Sequence, residues 1–200
     1  MLRRNFLISL GALPLLLKNV SSPQTEKTDK TTILVGLGNA GEVLVKEFFR
    51  LGYQGKFRII KATNWDTKKM DDTLDKLLNE ERFILNPHPK FSRLAKIKNA
   101  HFVIIAGLGG TRSTYLTAYA HQEMEREGAS FQMFLTTPLE FEGLTRCKRA
   151  NIFREATQWD TRIKFLSLEE ELKNPTWTIK ETFEMHVPER LYRLYLKNKA

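Results

Sequence analysis

The stretch Ala106–Thr114 holds the residues of this sequence that are best suited to chemistry. It reads Ala-Gly-Leu-Gly-Gly-Thr-Arg-Ser-Thr, and an apolar run typical of a buried strand, residues 101–106, leads directly into it. A helical pattern begins at about Ser113. A strand, a glycine loop and a helix in succession expose backbone N–H groups and a helix N terminus, which together bind phosphate. The stretch therefore predicts a site for a phosphate-bearing ligand.

A second glycine pattern lies earlier in the chain. Gly36–Gly41 reads Gly-Leu-Gly-Asn-Ala-Gly, the G-x-G-x-x-G spacing of dinucleotide-binding proteins, and we expect it to form a tight loop between a strand and a helix. The next predicted strand ends near Asn64 and Asp66, either of which could bind a ribose hydroxyl. Taken alone, this pattern predicts an NAD-binding Rossmann-type oxidoreductase.

The elements that must position these loops alternate regularly between strand and helix. Apolar runs predict strands at 32–36, 56–62, 101–106, 131–136 and 162–166, and helical spacing predicts helices that include 42–51, 113–127, 144–157 and a final one near Pro188. Gly128 is the expected C-terminal cap of the helix before it. Such alternation predicts an α/β fold with a parallel, Rossmann-like sheet and helices on both faces.

Residues 1–22 have the composition of an export signal or a tether. Arg3 and Arg4 precede Asn-Phe-Leu, the order found in twin-arginine export signals, and an apolar stretch follows from Phe6 to Leu17. A polar linker, residues 23–30, leads to the folded domain. The segment predicts export to the periplasm if it is a signal, or membrane contact if it is an uncleaved tether. With neither role, the location is cytoplasmic.

The net charge of +9 is spread along the chain. Residues 1–22 contribute three basic side chains and no acid, and elsewhere bases alternate with acids, as in Glu123–Glu127. This pattern predicts a solvated surface and no nucleic-acid groove, although a mildly basic protein suits an anionic ligand. The single cysteine, Cys147, excludes an intrachain disulfide and a cysteine metal site. The four histidines lack metal-ligand spacing, so no metal centre is predicted.

Three blocks at matching intervals resemble the nucleotide domain of the FtsZ/tubulin superfamily, and bacterial FtsZ most closely. They are Ala106–Gly110, Gly128 with the following alanine, and Thr137–Arg146, which reads Thr-Pro-Leu-Glu-Phe-Glu-Gly-Leu-Thr-Arg. The resemblance covers residues 31–172, and residues 173–200 resemble the central helix of the family.

The resemblance implies a guanine nucleotide, GTP or GDP, bound across the carboxyl edge of the sheet, with Mg²⁺ as a companion ion. It also implies self-association or a partner protein. The residues that it assigns to the nucleotide or its loops are Gly36, Gly38, Asn39, Gly41, Asn64, Gly107, Gly109, Gly110, Thr111, Arg112, Thr114, Glu142 and Arg146. Two plainer interpretations stay open: the early glycines make only a tight turn, and Glu142 and Arg146, four residues apart, form only a helical ion pair.

Departures from the family pattern lower the expected activity. Thr111, Ser113 and Tyr115 replace glycines of the phosphate loop, Glu42 would repel phosphate if it faced the site, and Leu168 stands near the position of the base-reading asparagine. The sequence contains no match to the family's catalytic loop, so we assign no catalytic residue. The sequence predicts a divergent FtsZ/tubulin-like protein that binds guanine nucleotide, hydrolyses it weakly or not at all, and acts in assembly or as a scaffold. The alternatives are the NAD-dependent enzyme and an interaction module without nucleotide.

Overall fold

The computed structural model describes residues 30–61, 89–173 and 176–199. The signal-like segment and residues 23–29 of the linker lie outside these ranges. Asn64 and Asp66, expected at the end of the second strand, lie outside them too. Within the described residues, no helix combines the length and the apolar character needed to cross a bilayer.

Five parallel strands form one sheet in the order β2-β1-β3-β4-β5. The predicted α/β fold with a parallel sheet is confirmed, and the five strands predicted above are present within a few residues of their expected bounds. The strands are β1 (Thr31–Leu37), β2 (Lys56–Ile60), β3 (Ala100–Gly107), β4 (Ser130–Thr137) and β5 (Ile163–Ser167).

Helices follow the strands and cover both faces of the sheet. They are α1 (Gly38–Arg50), α2 (Pro89–Ala95), α3 (Thr111–Arg126), α4 (Leu144–Ala156), α5 (Leu168–Leu172), α6 (Ile179–Glu181) and α7 (Val187–Lys199). A 3₁₀ turn, Glu140–Glu142, precedes α4, and a π-helical segment, Thr182–His186, joins α6 to α7.

Alternate side chains of each strand enter two separate hydrophobic cores. In β3, Phe102 and Ile104 face the core formed with α2, α3 and α4, whereas Val103 and Ile105 face the core formed with α1 and α7. Successive side chains of a strand point to opposite faces, so a sheet covered on both sides needs unbroken apolar strands. This explains why β3 has the continuous apolar sequence that leads into the glycine loop.

The expected loop at Gly36–Gly41 is instead a direct junction between β1 and α1, because the helix already begins at Gly38. A Cβ on Gly36 would lie 2.5 Å from the carbonyl oxygen of Gly41, and a Cβ on Gly41 would lie 2.6 Å from the carbonyl oxygen of Ile105. Gly36 and Gly41 are therefore packing glycines, which allow α1 to approach β1 and β3 closely.

The bounds of α3 correct one expectation and confirm another. The helix begins at Thr111, two residues before the predicted start, so Thr111, Arg112 and Ser113 belong to its first turn and not to the glycine loop. It ends as predicted before Gly128, whose φ of 61° is the left-handed conformation typical of a C-terminal glycine.

Candidate functional site

A cavity of about 510 Å³ opens at the carboxyl edge of the sheet. The sheet order changes direction between β1 and β3, since β2 lies on one side of β1 and all later strands lie on the other. The chains that leave β1 and β3 therefore diverge and leave a crevice, which is where open α/β sheets bind ligands. The cavity lies at this position.

Eight of the thirteen residues expected at the nucleotide line this cavity. They are Gly38, Asn39, Gly107, Gly110, Thr111, Arg112, Glu142 and Arg146. The structure does not bring the other described ones to the lining: Gly36 and Gly41 pack between α1 and the sheet, and Gly109 and Thr114 are buried. Asn64 lies outside the described residues.

Two helix N termini meet at the cavity. Neither α1, preceded by Leu37, nor α3, preceded by Gly110, receives a side-chain hydrogen bond at its cap, and neither helix has an acidic residue in its first turn. A Cβ on Gly38 would lie 3.2 Å from the Cβ of Ser113, so the two first turns are adjacent. The first N–H groups of a helix lack partners inside it and carry partial positive charge. The partial charges at this end of the cavity therefore favour an anion.

The side chain of Thr114 stabilises the glycine loop. The backbone N–H of Gly109 donates to the Thr114 hydroxyl oxygen at 2.9 Å, and Thr114 is only 1% exposed. Gly109 has a φ of 96°, a conformation that favours glycine. The N–H of Leu108 donates to the carbonyl of Thr136 at 2.8 Å. Gly109 and Thr114 therefore fix the shape of the loop while Gly110 and Thr111 line the cavity.

Glu142 and Arg146 form an ion pair at the cavity wall. The Nη1 group of Arg146 donates to Glu142 Oε2 at 2.6 Å. Glu142 Oε1 accepts a hydrogen bond from the backbone N–H of Leu139 at 3.0 Å. The ion pair suggested by the spacing is present, and both of its members line the cavity. Both oxygens of this carboxylate are engaged within the protein.

Glu42 is neutralised by two lysines and does not line the cavity. Its carboxylate bonds the ammonium of Lys61 and lies 3.2 Å from that of Lys46. The hydrogen bond with Lys61, followed by that with Lys46, lowers the pKa of the Glu42 carboxyl. Lys61 itself lines the cavity. The sequence interpretation overlooked Lys61, although its position near the carboxyl end of the second predicted strand, residues 56–62, was the signal.

Positive side chains outnumber negative ones around the cavity. Lys61, Arg112 and Arg146 line it, and Glu142 is the one carboxylate among the described lining residues. Arg112 is exposed in the first turn of α3, and no hydrogen bond or ion pair engages its guanidinium within the described part of the chain. Arg112 is therefore available to a phosphate, which its planar fork of donors suits.

Leu168 and Phe183 contribute an apolar part of the lining. Leu168 is the first residue of α5, at the position where the family's base-reading asparagine was expected. Phe183 lies in the π-helical segment before α7. Such segments are rare and are frequent at functional sites. Sequence reasoning missed Phe183 because it lies beyond the motifs that carry the resemblance.

A second group of polar side chains gathers away from the cavity. His121, Glu125 and Asp160 place potential metal-ligand atoms within 4.8 Å of one another, which the sequence spacing did not predict. The guanidinium of Arg162 bonds both carboxylates, and His121 Nε2 lies 2.9 Å from Asp160 Oδ2. The hydrogen bond from Arg162, the largest cause, lowers the pKa of the Asp160 carboxyl. A cation is already present in this cluster, so we interpret it as a structural network.

The fold is that of the FtsZ/tubulin GTPase domain. The empty FtsZ dimer of M. jannaschii matches with a TM-score of 0.57 and 21% identity over 84% of this chain and 53% of that one. TubZ of Clostridium botulinum phage c-st matches with a TM-score of 0.55 and 10% identity, over 84% of this chain and 59% of that one. The form of this TubZ with a truncated C-terminal tail matches with a TM-score of 0.54 and 11% identity, over 85% of this chain and 60% of that one.

The chain thus spans between half and three fifths of the length of these solved structures. The sequence matches no protein-family model and no curated protein.

Proposed function

We propose that this chain binds a guanine nucleotide, GTP or GDP, in the cavity at the carboxyl edge of its sheet. The observation that carries the proposal is the meeting of two uncapped helix N termini, those of α1 and α3, in one cavity of about 510 Å³. Small-molecule sites commonly have volumes of about 300–1,000 Å³. The phosphates would lie on the N–H groups of both first turns, with Arg112 and Lys61 as counter-charges.

The choice of a guanine nucleotide rests on the sequence blocks that resemble FtsZ together with the fold. Phe183 and Leu168 offer an apolar surface to the base, since an aromatic ring stacks on any base. Mg²⁺ would be held mainly by phosphate oxygens and water, because both oxygens of Glu142 are engaged elsewhere.

We further propose that the purified chain does not hydrolyse the nucleotide efficiently. General-base catalysis needs a group within hydrogen-bond reach of the attacking water. Among the described residues that line the cavity, Glu142 is the only carboxylate, and Arg146 and the N–H of Leu139 occupy it. The protein would then act in assembly or as a scaffold, with the nucleotide as a bound ligand.

Equilibrium binding of fluorescent GTP and GDP to the full chain tests the proposal, with NAD as a competitor. Asn39→Asp adds a negative charge to the first turn of α1, where an acid favours the helix and so preserves the fold. At about 8 Å from a phosphate, a unit charge costs about 2 kcal/mol at an effective dielectric of 20, so we expect nucleotide affinity to fall at least about tenfold.

Asn151→Asp is the matched control, because Asn151 is exposed on α4 and does not line the cavity. This variant should bind like the original chain. If neither GTP nor GDP binds at high micromolar concentration, the proposal fails and the interaction module remains. If NAD displaces GTP at low concentration, the dinucleotide alternative is correct.

A further inference from the structure

The edge of the sheet opposite the cavity carries exposed lysines. This amino edge consists of the strand starts and the turns before them: residues 30–31, 54–56, 96–100, 127–130 and 157–163. Lys30, Lys56 and Lys98 are exposed there, and within the described part of the chain no ion pair engages them. The backbone N–H of Thr31 donates to the carbonyl of Asn99 at 2.8 Å, so the segments that carry Lys30 and Lys98 are adjacent.

Most carboxylates near the amino edge are already compensated. Those of Glu125 and Asp160 bond Arg162, and that of Glu127 lies 3.8 Å from the ammonium of Lys96. Glu155 is exposed at the end of α4 and offsets part of the charge. The three unpaired lysines still exceed it, so the amino edge attracts an anionic surface.

Two apolar side chains project from the same edge. Trp159, in the turn before β5, is 86% exposed, and Ile97, in the turn before β3, is 42% exposed. A single exposed apolar residue is ordinary on a soluble surface. An indole on the same sheet edge as several lysines, however, is a combination that favours the interface of a membrane, where the ring lies among headgroups and the charges meet anionic lipid.

The chain also enters the sheet at this edge. Residue 30 leads into β1, and upstream of it lie Arg3, Arg4 and the apolar residues 6–17. If those residues insert into a bilayer, the chain reaches the sheet from the bilayer at the amino edge. Charge, exposed indole and chain direction therefore agree on one surface.

We propose that the amino edge is a membrane-docking face that binds an anionic lipid surface. Lys30, Lys56 and Lys98 contact the headgroups and Trp159 enters the interface. The cavity at the carboxyl edge then faces away from the membrane and stays open to its ligand. This proposal does not depend on nucleotide binding.

The test measures binding of the full chain to vesicles that mix phosphatidylglycerol with phosphatidylcholine, compared with phosphatidylcholine alone. A lysine near an anionic surface contributes about 1 kcal/mol, so Lys56→Gln with Lys98→Gln should weaken binding about 30-fold. The control carries Lys148→Gln with Lys173→Gln, which remove the same charge from exposed positions of α4 and the end of α5. Binding of the control should change less than about twofold.

Trp159 supplies a direct readout. With Trp65 and Trp177 replaced by phenylalanine, the single remaining indole should shift its emission to shorter wavelength on anionic vesicles, and brominated lipid should quench it. Unchanged Trp159 emission on vesicles that do bind the protein would show that residues 1–22 bind alone, and would overturn the proposal.

Equal losses in the two lysine variants would also overturn it, as would equal binding to neutral vesicles. Failure to bind vesicles, together with binding to duplex DNA that depends on Lys56 and Lys98, would assign the amino edge to nucleic acid instead.

Discussion

At the scale of single residues, the glycine loop after β3 depends on a threonine that the family pattern alone would assign to the ligand. The hydroxyl oxygen of Thr114 accepts the hydrogen bond of the Gly109 N–H, and the threonine is buried under the loop. Arg112, in contrast, points to the cavity in a position where the family has threonine. The sequence change therefore adds a cation to the cavity lining while the loop keeps its internal support.

Replacement of Thr114 by valine should lower the free energy of unfolding by about 1–3 kcal/mol, because the buried Gly109 N–H loses its acceptor. Thr114→Ser keeps the hydroxyl and should cost clearly less. Urea unfolding of both variants measures the difference. Equal losses for valine and serine would show that packing of the threonine methyl group, and not the hydrogen bond, stabilises the loop.

At the scale of elements, the junction between β1 and α1 sets the width of the cavity. Gly36 and Gly41 bring the start of α1 against β1 and β3, so that its first turn lies beside that of α3. Of the three glycines in the G-x-G-x-x-G pattern, Gly36 and Gly41 are thus required by close packing, and Gly38 lines the cavity.

Gly41→Ala should affect stability and ligand affinity together. Its Cβ would meet the carbonyl oxygen of Ile105 at 2.6 Å, so α1 must move, at a cost of about 1–3 kcal/mol for overpacking. The displaced first turn should also weaken nucleotide binding. Gly128→Ala is the comparison: nothing lies within 4 Å, and its positive φ costs about 1–2 kcal/mol without affecting the cavity. Unchanged nucleotide affinity in Gly41→Ala would contradict this role.

At the scale of the whole molecule, the two edges of the sheet differ in character. The carboxyl edge holds the cavity between diverging helices, and the amino edge holds the exposed lysines, Trp159 and the network of Arg162 with Asp160. That network ties α3 to the turn before β5 and so links two layers of the fold.

The pH dependence of stability should report this network. The pKa of Asp160 is lower in the folded protein than its ordinary value of about 3.9, so its stabilising contribution is complete above that pH and is lost as pH falls below it. Urea unfolding from neutral to acid pH measures this slope. Asp160→Asn should be less stable at neutral pH and lose less stability on acidification, whereas the exposed control Glu155→Gln should keep the original slope.

The sequence by itself determined the fold class and much of the cavity lining. Apolar runs and the glycine-rich stretch are local signals. They predicted β3 and placed Gly107 and Gly110 at the site. The secondary structure of a segment depends largely on the spacing of apolar residues within it. It can therefore be predicted from that segment alone.

Only the tertiary structure decided which residues meet. Lys61, Phe183 and Gly38 come from three distant segments, and their meeting depends on the sheet order that opens a crevice between β1 and β3. It also decided that Gly36, Gly41 and Thr114 support the site from outside the lining. Whether a glycine faces a ligand or a neighbouring backbone is set by the packing of whole elements, which local sequence does not encode.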